Sequence, residues 1–228
     1  MKCGIYGKLP SKRDFVVHNM PRPFLNVWEN WLQSAVAASH NQLGDSWHEA
    51  FLSAPIWRFW MGSKICGTSV AGAMMPSVDR VGRYFPLTLC ACAPDGARID
   101  PPVVNPMEEW YRPVEDALLR ALDENFQGEA EELIAELIFP PLEDVPAQPA
   151  NAQTVVDGML VWTLPGLRPE ETLRMFRSRE IETLYAPRSY WWTSGGERHP
   201  PQVVIATEMP NPFHFGAFLT GNFGGEAQ

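Results

Sequence analysis

Ala73-Met74-Met75-Pro76-Ser77-Val78-Asp79-Arg80-Val81-Gly82-Arg83-Tyr84-Phe85-Pro86-Leu87-Thr88-Leu89-Cys90 is the stretch on which the reading of the chain turns. A hydroxyl, a carboxylate and two guanidinium groups fall between Ser77 and Arg83, with apolar runs on either side. Val78 and Val81 alternate with the polar groups. Gly82 permits a tight approach or a positive φ, and Pro76 and Pro86 bracket the segment. Unpaired buried charge is costly. Ser77, Asp79, Arg80 and Arg83, set between two expected buried strands, must therefore pair with one another, with other parts of the chain, or with a ligand or partner.

Working outward, Ile56–Trp60 alternates large aromatics as a strand does, and Ile65–Met75 follows the turn Gly62-Ser63-Lys64. The short connection predicts an antiparallel hairpin. Tyr84–Ala93 reads as the next buried strand. Cys3–Leu9 reads as the first, running into Gly7-Lys8-Leu9-Pro10. Gly-Lys beside Ser11 fails as a phosphate loop: the upstream glycine spacing is wrong and Pro10 blocks the helix start. Lys8, Lys12 and Arg13 are read as loop charges.

Helices surround these strands. Pro21–Ser39 places Phe24, Trp28, Trp31, Leu32 and Ala35 on one face. A short helix is expected over Ser46–Leu52, with Asp45 or Ser46 as its cap. Asn105–Asn125 has a capping Asn, Pro106 at the first helical position, and Glu108 and Glu109 where the helix dipole favours acid. Glu129–Ile138 and Pro169–Arg179 are further helices. Pro140–Gln153 is the best linker candidate, read as a loop within one domain. Met159–Trp162 is a strand after the Asp157-Gly158 turn. Ser189–Thr193 and Gln202–Thr207 form a closing strand pair, and Asn211–Leu219 a terminal helix, with a frayed tail from Gly221. The pattern predicts an α/β fold: a mixed, partly antiparallel central sheet covered by helices in three layers, as a single domain over residues 1–228.

The totals exclude several function classes. The 228 residues are 45% hydrophobic, enough for a full core, and carry a formal charge of −9 from 18 basic and 27 acidic residues. That balance disfavours nucleic-acid binding and docking on anionic lipid. The start, Met1–Lys8, has no apolar leader-like core, and no run reaches the length of a membrane span. A soluble, cytoplasmic protein with no membrane insertion is expected. Cys3, Cys66, Cys90 and Cys92 are read as buried reduced thiols, and the five histidines show no metal-ligand cluster. No metal or cofactor is expected.

The assembled blocks resemble the TagF family, accessory and regulatory proteins of bacterial type VI secretion systems. Carrying the resemblance are Gly4-Ile5-Tyr6-Gly7-Lys8-Leu9-Pro10, Asp14-Phe15-Val16, Trp28-Glu29-Asn30-Trp31-Leu32-Gln33, Ala54-Pro55-Ile56-Trp57-Arg58-Phe59 and, above all, Pro76 to Leu87. Ser189-Tyr190-Trp191-Trp192 and Leu219-Thr220-Gly221-Asn222-Phe223 are weaker echoes. One departure stands out: the family's early turn commonly carries Gly before the Asp, where this chain has Arg13. The resemblance implies a non-enzymatic protein that restrains type VI secretion post-translationally. Its implied partner is the forkhead-associated scaffold of the apparatus, with a functional link to a threonine kinase and phosphatase pair. Homo-oligomer formation is left open.

Three functions follow for testing against geometry. As a binding module, the chain would use Arg80, Arg83, Trp191 and Trp192 as anchors, since Arg and aromatic residues dominate interface energetics. The bland alternative is an internal brace in which Asp79 pairs with Arg80 or Arg83 and Ser77 caps a turn. As a hydrolase, it would use Ser77 or a Cys. Ser77 lies outside a nucleophile elbow and would need His18, His48 or His199 brought to it. As a phosphate or nucleotide sensor, it would grip phosphate between Arg80 and Arg83, with Asp79 partly neutralising them.

Overall fold

The computed structural model describes residues 2–123, 126–145, 153–162, 166 and 168–224. From the N-terminus, β1 (Gly4–Lys8) and β2 (Phe15–His18) form a hairpin and lead into α1 (Arg22–Leu43). A 3-10 turn and α2 (Trp47–Ser53) follow, then β3 (Trp57–Met61), α3 (Ser63–Cys66) and β4 (Val70–Met75). The signature segment connects β4 to β5 (Leu87–Cys92). Next come β6 (Ala97–Arg98), α4 (Glu108–Ala121), α5 (Ala130–Ala135) and β7 (Glu143–Asp144). The chain finishes with the hairpin β8 (Gln153–Val156) and β9 (Met159–Trp162), α6 (Pro169–Tyr185), β10 (Arg188–Thr193), β11 (Gln202–Thr207) and α7 (Phe215–Thr220).

Seven strands make the main sheet, in the order β11-β10-β3-β4-β5-β1-β2, and every pairing in it is antiparallel. The expected helix-covered α/β sheet is present. Its antiparallel character, expected for part of the sheet, extends to all of it, because each connection is a hairpin or an excursion that returns the chain in the opposite sense.

Strand alternation sends side chains to two separate cores. On one face, Ile5, Trp60, Ala71, Ala73, Leu87, Leu89 and Tyr190 pack against Trp110, Tyr111, Val114 and Leu118 of α4 and Leu133 and Ile134 of α5. On the other, Tyr6, Trp57, Phe59, Met61, Val70, Met74 and Trp191 meet Phe24, Trp28, Trp31 and Leu32 of α1 and Phe215 and Phe218 around α7. This second core is built largely of stacked rings. Trp28 lies 5.8 Å from Trp191 at an interplanar angle of 8°, and 4.5 Å from Phe59. Such pairs add about 0.5–1.5 kcal/mol each beyond the area they bury.

Several boundaries differ from the sequence expectation for local reasons. The third helix begins at Glu108 rather than Pro106, because Met107 adopts a left-handed conformation (φ 50°) and Asn105 Oδ1 accepts the Met107 N–H at 3.1 Å. The turn expected at Gly62-Ser63-Lys64 is a single helical turn, α3. The last long helix reaches Tyr185, beyond Arg179, since Ile181 is buried and Tyr185 packs on the first core. Part of the Pro140–Gln153 linker, the end of Asn105–Asn125 and the last tail residues lie outside the described residues.

Candidate functional site

The β4–β5 connection is a clamped loop. Val78 and Tyr84 pair as an antiparallel bridge. Between them the Asp79 N–H donates to the Arg83 carbonyl and the Gly82 N–H to the Asp79 carbonyl, both at 3.0 Å. Gly82 takes φ 84°, a conformation that favours glycine and closes the turn.

Asp79 organises this loop from inside. Its side chain is fully buried, and its carboxylate accepts four hydrogen bonds. Oδ1 takes the Val81 N–H at 3.0 Å and the Arg83 N–H at 2.9 Å; Oδ2 takes Lys8 Nζ at 2.5 Å and Arg83 Nε at 2.7 Å. An ionised carboxylate offers about four acceptor positions, so its capacity is used. Burial by itself would push the carboxyl pKa up. The bonds from the Lys8 ammonium, the Arg83 N–H and guanidinium, and the Val81 N–H outweigh it and hold the group well below the usual carboxylate range.

Lys8 is the residue that sequence reasoning misplaced. It is a strand residue, buried beside Asp79, and its ammonium also lies 4.6 Å from the centre of the Phe15 ring. The available signal was parity: Lys8 follows Tyr6 by two positions on β1, so it points to the same face as a core aromatic. Lys12 and Arg13 do lie in the β1–β2 turn, where their carbonyls bind the signature loop. The Lys12 carbonyl accepts the Arg80 N–H at 3.0 Å, and the Arg13 carbonyl accepts from Arg83 Nη2. Arg13 does not adopt a positive φ, so the family's glycine is not needed for the backbone there.

Structural brace and exposed surface thus divide between neighbouring residues. Asp79 and Lys8 are enclosed. Arg83 is 55% exposed on its side chain but committed to Asp79 and Arg13. Arg80 and Val81 stand in solvent, and the Arg80 guanidinium makes no hydrogen bond or ion pair among the described residues. Asp79 pairs with Arg83, as one of the two expected options, and not with Arg80. Beside the loop an open cleft of about 550 Å³ is lined by His40, Asn41, Trp47, His48 and Tyr84, with His48 and Tyr84 rings 4.9 Å apart.

Two of the expected anchors lie elsewhere. Trp191 is corrected as a surface residue: it is fully buried between Trp28 and Phe218, and its Nε1 donates to Ser189 Oγ at 3.0 Å. Trp192, its strand neighbour, points to the opposite face, half-buried and edge-on to Tyr111 at 4.9 Å.

The geometry does not assemble the hydrolase constellation. Ser77 Oγ is buried with no hydrogen-bond partner among the described residues, so it does not cap the turn as expected, and Asp79 is spent on Lys8 and Arg83. His18 Nδ1 lies 2.8 Å from Glu131, His48 packs on Tyr84 and Trp47, and His199 Nε2 lies 2.7 Å from the Leu219 carbonyl. Burial pushes the Cys3 thiol up to about 11 and Cys66 to about 12, and it raises Cys90 too, the reverse of an activated thiolate. The phosphate-gripping pair is also split, because Arg83 is engaged by Asp79 and the Arg13 carbonyl while Arg80 stands exposed without a bond to Asp79. Among the described residues no group of three or more His, Cys, Asp and Glu side chains could hold a metal ion, and no helix is long and apolar enough to cross a membrane.

Fold and loop together define a three-layer α/β module that presents a rigidly held polar turn between two strands of its sheet. Residues 4–137 match the family model for the TagF N-terminal domain, described as type VI secretion system-associated, and the chain belongs to that family. Among solved structures it is similar to PA0076 from Pseudomonas aeruginosa PAO1, with 32% identity and a TM-score of 0.76, over 99% of this chain and 96% of that one. Comparison with curated proteins returns no match. The matched region ends after α5, yet β10, β11 and α7 complete the same sheet and its ring-rich core.

Proposed function

We propose that this chain restrains type VI secretion post-translationally through protein–protein contact and has no catalytic activity of its own. The partner is the forkhead-associated scaffold of the apparatus, and the restraint acts alongside a threonine kinase and phosphatase pair. One observation carries the choice of surface: a buried carboxylate fixes the Asp79–Arg83 turn while leaving Arg80 and Val81 open to solvent. A pre-ordered loop loses little entropy on binding, and an exposed Arg beside an apolar residue is a suitable anchor. The cleft at His48 and Tyr84 extends that surface with aromatic area. The work is done in the cytoplasm, where the scaffold and the enzyme pair act.

The direct test is binding between the purified chain and the purified scaffold by calorimetry. The reading expects saturable binding that Val81→Asp weakens by about tenfold, a change of about 1.4 kcal/mol. Absence of binding by the wild-type chain would remove the scaffold as direct partner, and hydrolytic turnover abolished by Ser77→Ala would restore the enzyme reading.

A further inference from the structure

On the face of the sheet covered by α4 and α5, a groove of about 620 Å³ opens between the start of α4 and the segment after α5. Its floor and walls are apolar, formed chiefly by Met107, Trp110, Pro113, Leu137, Ile138 and Phe139. That volume lies within the roughly 300–1,000 Å³ typical of ligand clefts. The two walls are fixed relative to each other by a side-chain bond, Trp110 Nε1 donating to the Ile138 carbonyl at 2.9 Å, and Met107 sits in its left-handed turn at the start of α4. The Ile138 side chain is left 83% exposed at the rim, an unusual placement for an isoleucine whose backbone is fixed from below.

The rest of the rim is acidic. Glu108 is committed, since Arg58 Nη1 donates to it at 2.6 Å, and Arg58 together with Arg112 holds its carboxyl below the usual range. Glu109 is exposed and has no ion pair among the described residues. Glu136 is only loosely held, 3.6 Å from Arg120 on the surface. An apolar trough edged by one unpaired carboxylate, Glu109, and one weakly paired surface carboxylate, Glu136, on a chain of net charge −9, complements an apolar segment that carries positive charge.

We propose that this groove is a second docking site, distinct from the Arg80 loop, for a short apolar peptide segment of a partner protein flanked by Lys or Arg. Apolar side chains fill the trough between Trp110, Ile138 and Phe139, and the flanking cations meet Glu109 and Glu136. The groove shares no lining residue with the cleft beside the Arg80 loop.

The test uses the full chain and two fluorescein-labelled synthetic peptides of Leu, Ala and Gln, one ended by Lys at both termini and its counterpart ended by Glu. Fluorescence anisotropy is followed for the wild type, Ile138→Asp and Glu109→Lys, both changes being at exposed positions. An unchanged melting temperature confirms that each variant is folded. The proposal expects the Lys-ended peptide to bind more tightly than the Glu-ended one, with each variant weakening it by about five- to tenfold. Equal affinity for the two peptides, equal affinity of the variants, or no binding of either peptide overturns it. Concentration-dependent dimerisation in sedimentation, abolished by Ile138→Asp, would also overturn it by assigning the groove to a second copy of the chain.

Discussion

Lys8 Nζ lies 2.5 Å from Asp79 Oδ2, in a buried ion pair between residues 71 positions apart. The pair ties the end of the first strand to the turn between β4 and β5, and Asp79 passes that constraint to the loop backbone through two N–H bonds. Removing one partner of a buried pair leaves the other uncompensated, at a cost of about 3–5 kcal/mol. Lys8→Met is therefore expected to destabilise the chain by that order in urea unfolding. Arg83→Ala removes the half-exposed arm of the cluster and should cost under about 1 kcal/mol. The reverse ranking would show that Arg83, not Lys8, holds the loop.

The same cluster sets the response to acid. The folded Asp79 carboxyl is held below its unfolded value, so its contribution is present above about pH 4 and is lost as pH falls from there toward the folded value. Glu108, lowered chiefly by its hydrogen bond from Arg58, acts in the same direction. Unfolding free energy should be nearly flat for these groups near neutrality and fall below about pH 4, with a shallower fall in Asp79→Asn. Identical acid slopes for that variant and the wild type would mean that Asp79 is not ionised and paired in the folded chain.

Thiol chemistry separates the four cysteines. Cys3, Cys66 and Cys90 are buried and burial raises their pKa, whereas Cys92 is partly exposed. At mildly alkaline pH one thiol, Cys92, should react readily with an aromatic disulfide reagent, and the other three should react only on denaturation. A Cys92→Ser chain that still shows one fast thiol would contradict the packing of the sheet around β5.

Gly7 holds a tighter steric constraint. It takes φ 133°, and a Cβ there would run into the Pro86 carbonyl oxygen at the far bracket of the signature segment. Gly7→Ala should cost at least about 2 kcal/mol by combining backbone strain with a clash against main chain. A chain of wild-type stability would show that β1 and the Pro86 region can separate freely.

How much of this was legible in the sequence depended on the range of the contacts. The β3–β4 hairpin was readable because its connection is short, and the charge cluster at Ser77–Arg83 stood out because its members are adjacent. The pairing of Trp191 with Phe59 across β10 and β3 was not readable, since nothing local joins residues so far apart. Strand alternation required Trp191 and Trp192 to face opposite sides, but only the third dimension says which side α1 covers. Lys8 was mistaken for a loop charge because its carboxylate partner comes from a different part of the chain. Arg58, whose guanidinium binds both Glu108 and Glu115 across the first core, was hidden for the same reason.

The central claim is that Asp79 and Lys8 build the loop while Arg80 and Val81 use it. The most direct test is secretion by cells in which the native protein is replaced by the Arg80→Ala, Val81→Asp double variant, with its abundance and melting temperature checked against wild type. The account predicts a folded, normally abundant protein that no longer restrains type VI secretion. Full restraint by that variant would contradict it and leave the signature segment with a structural role alone.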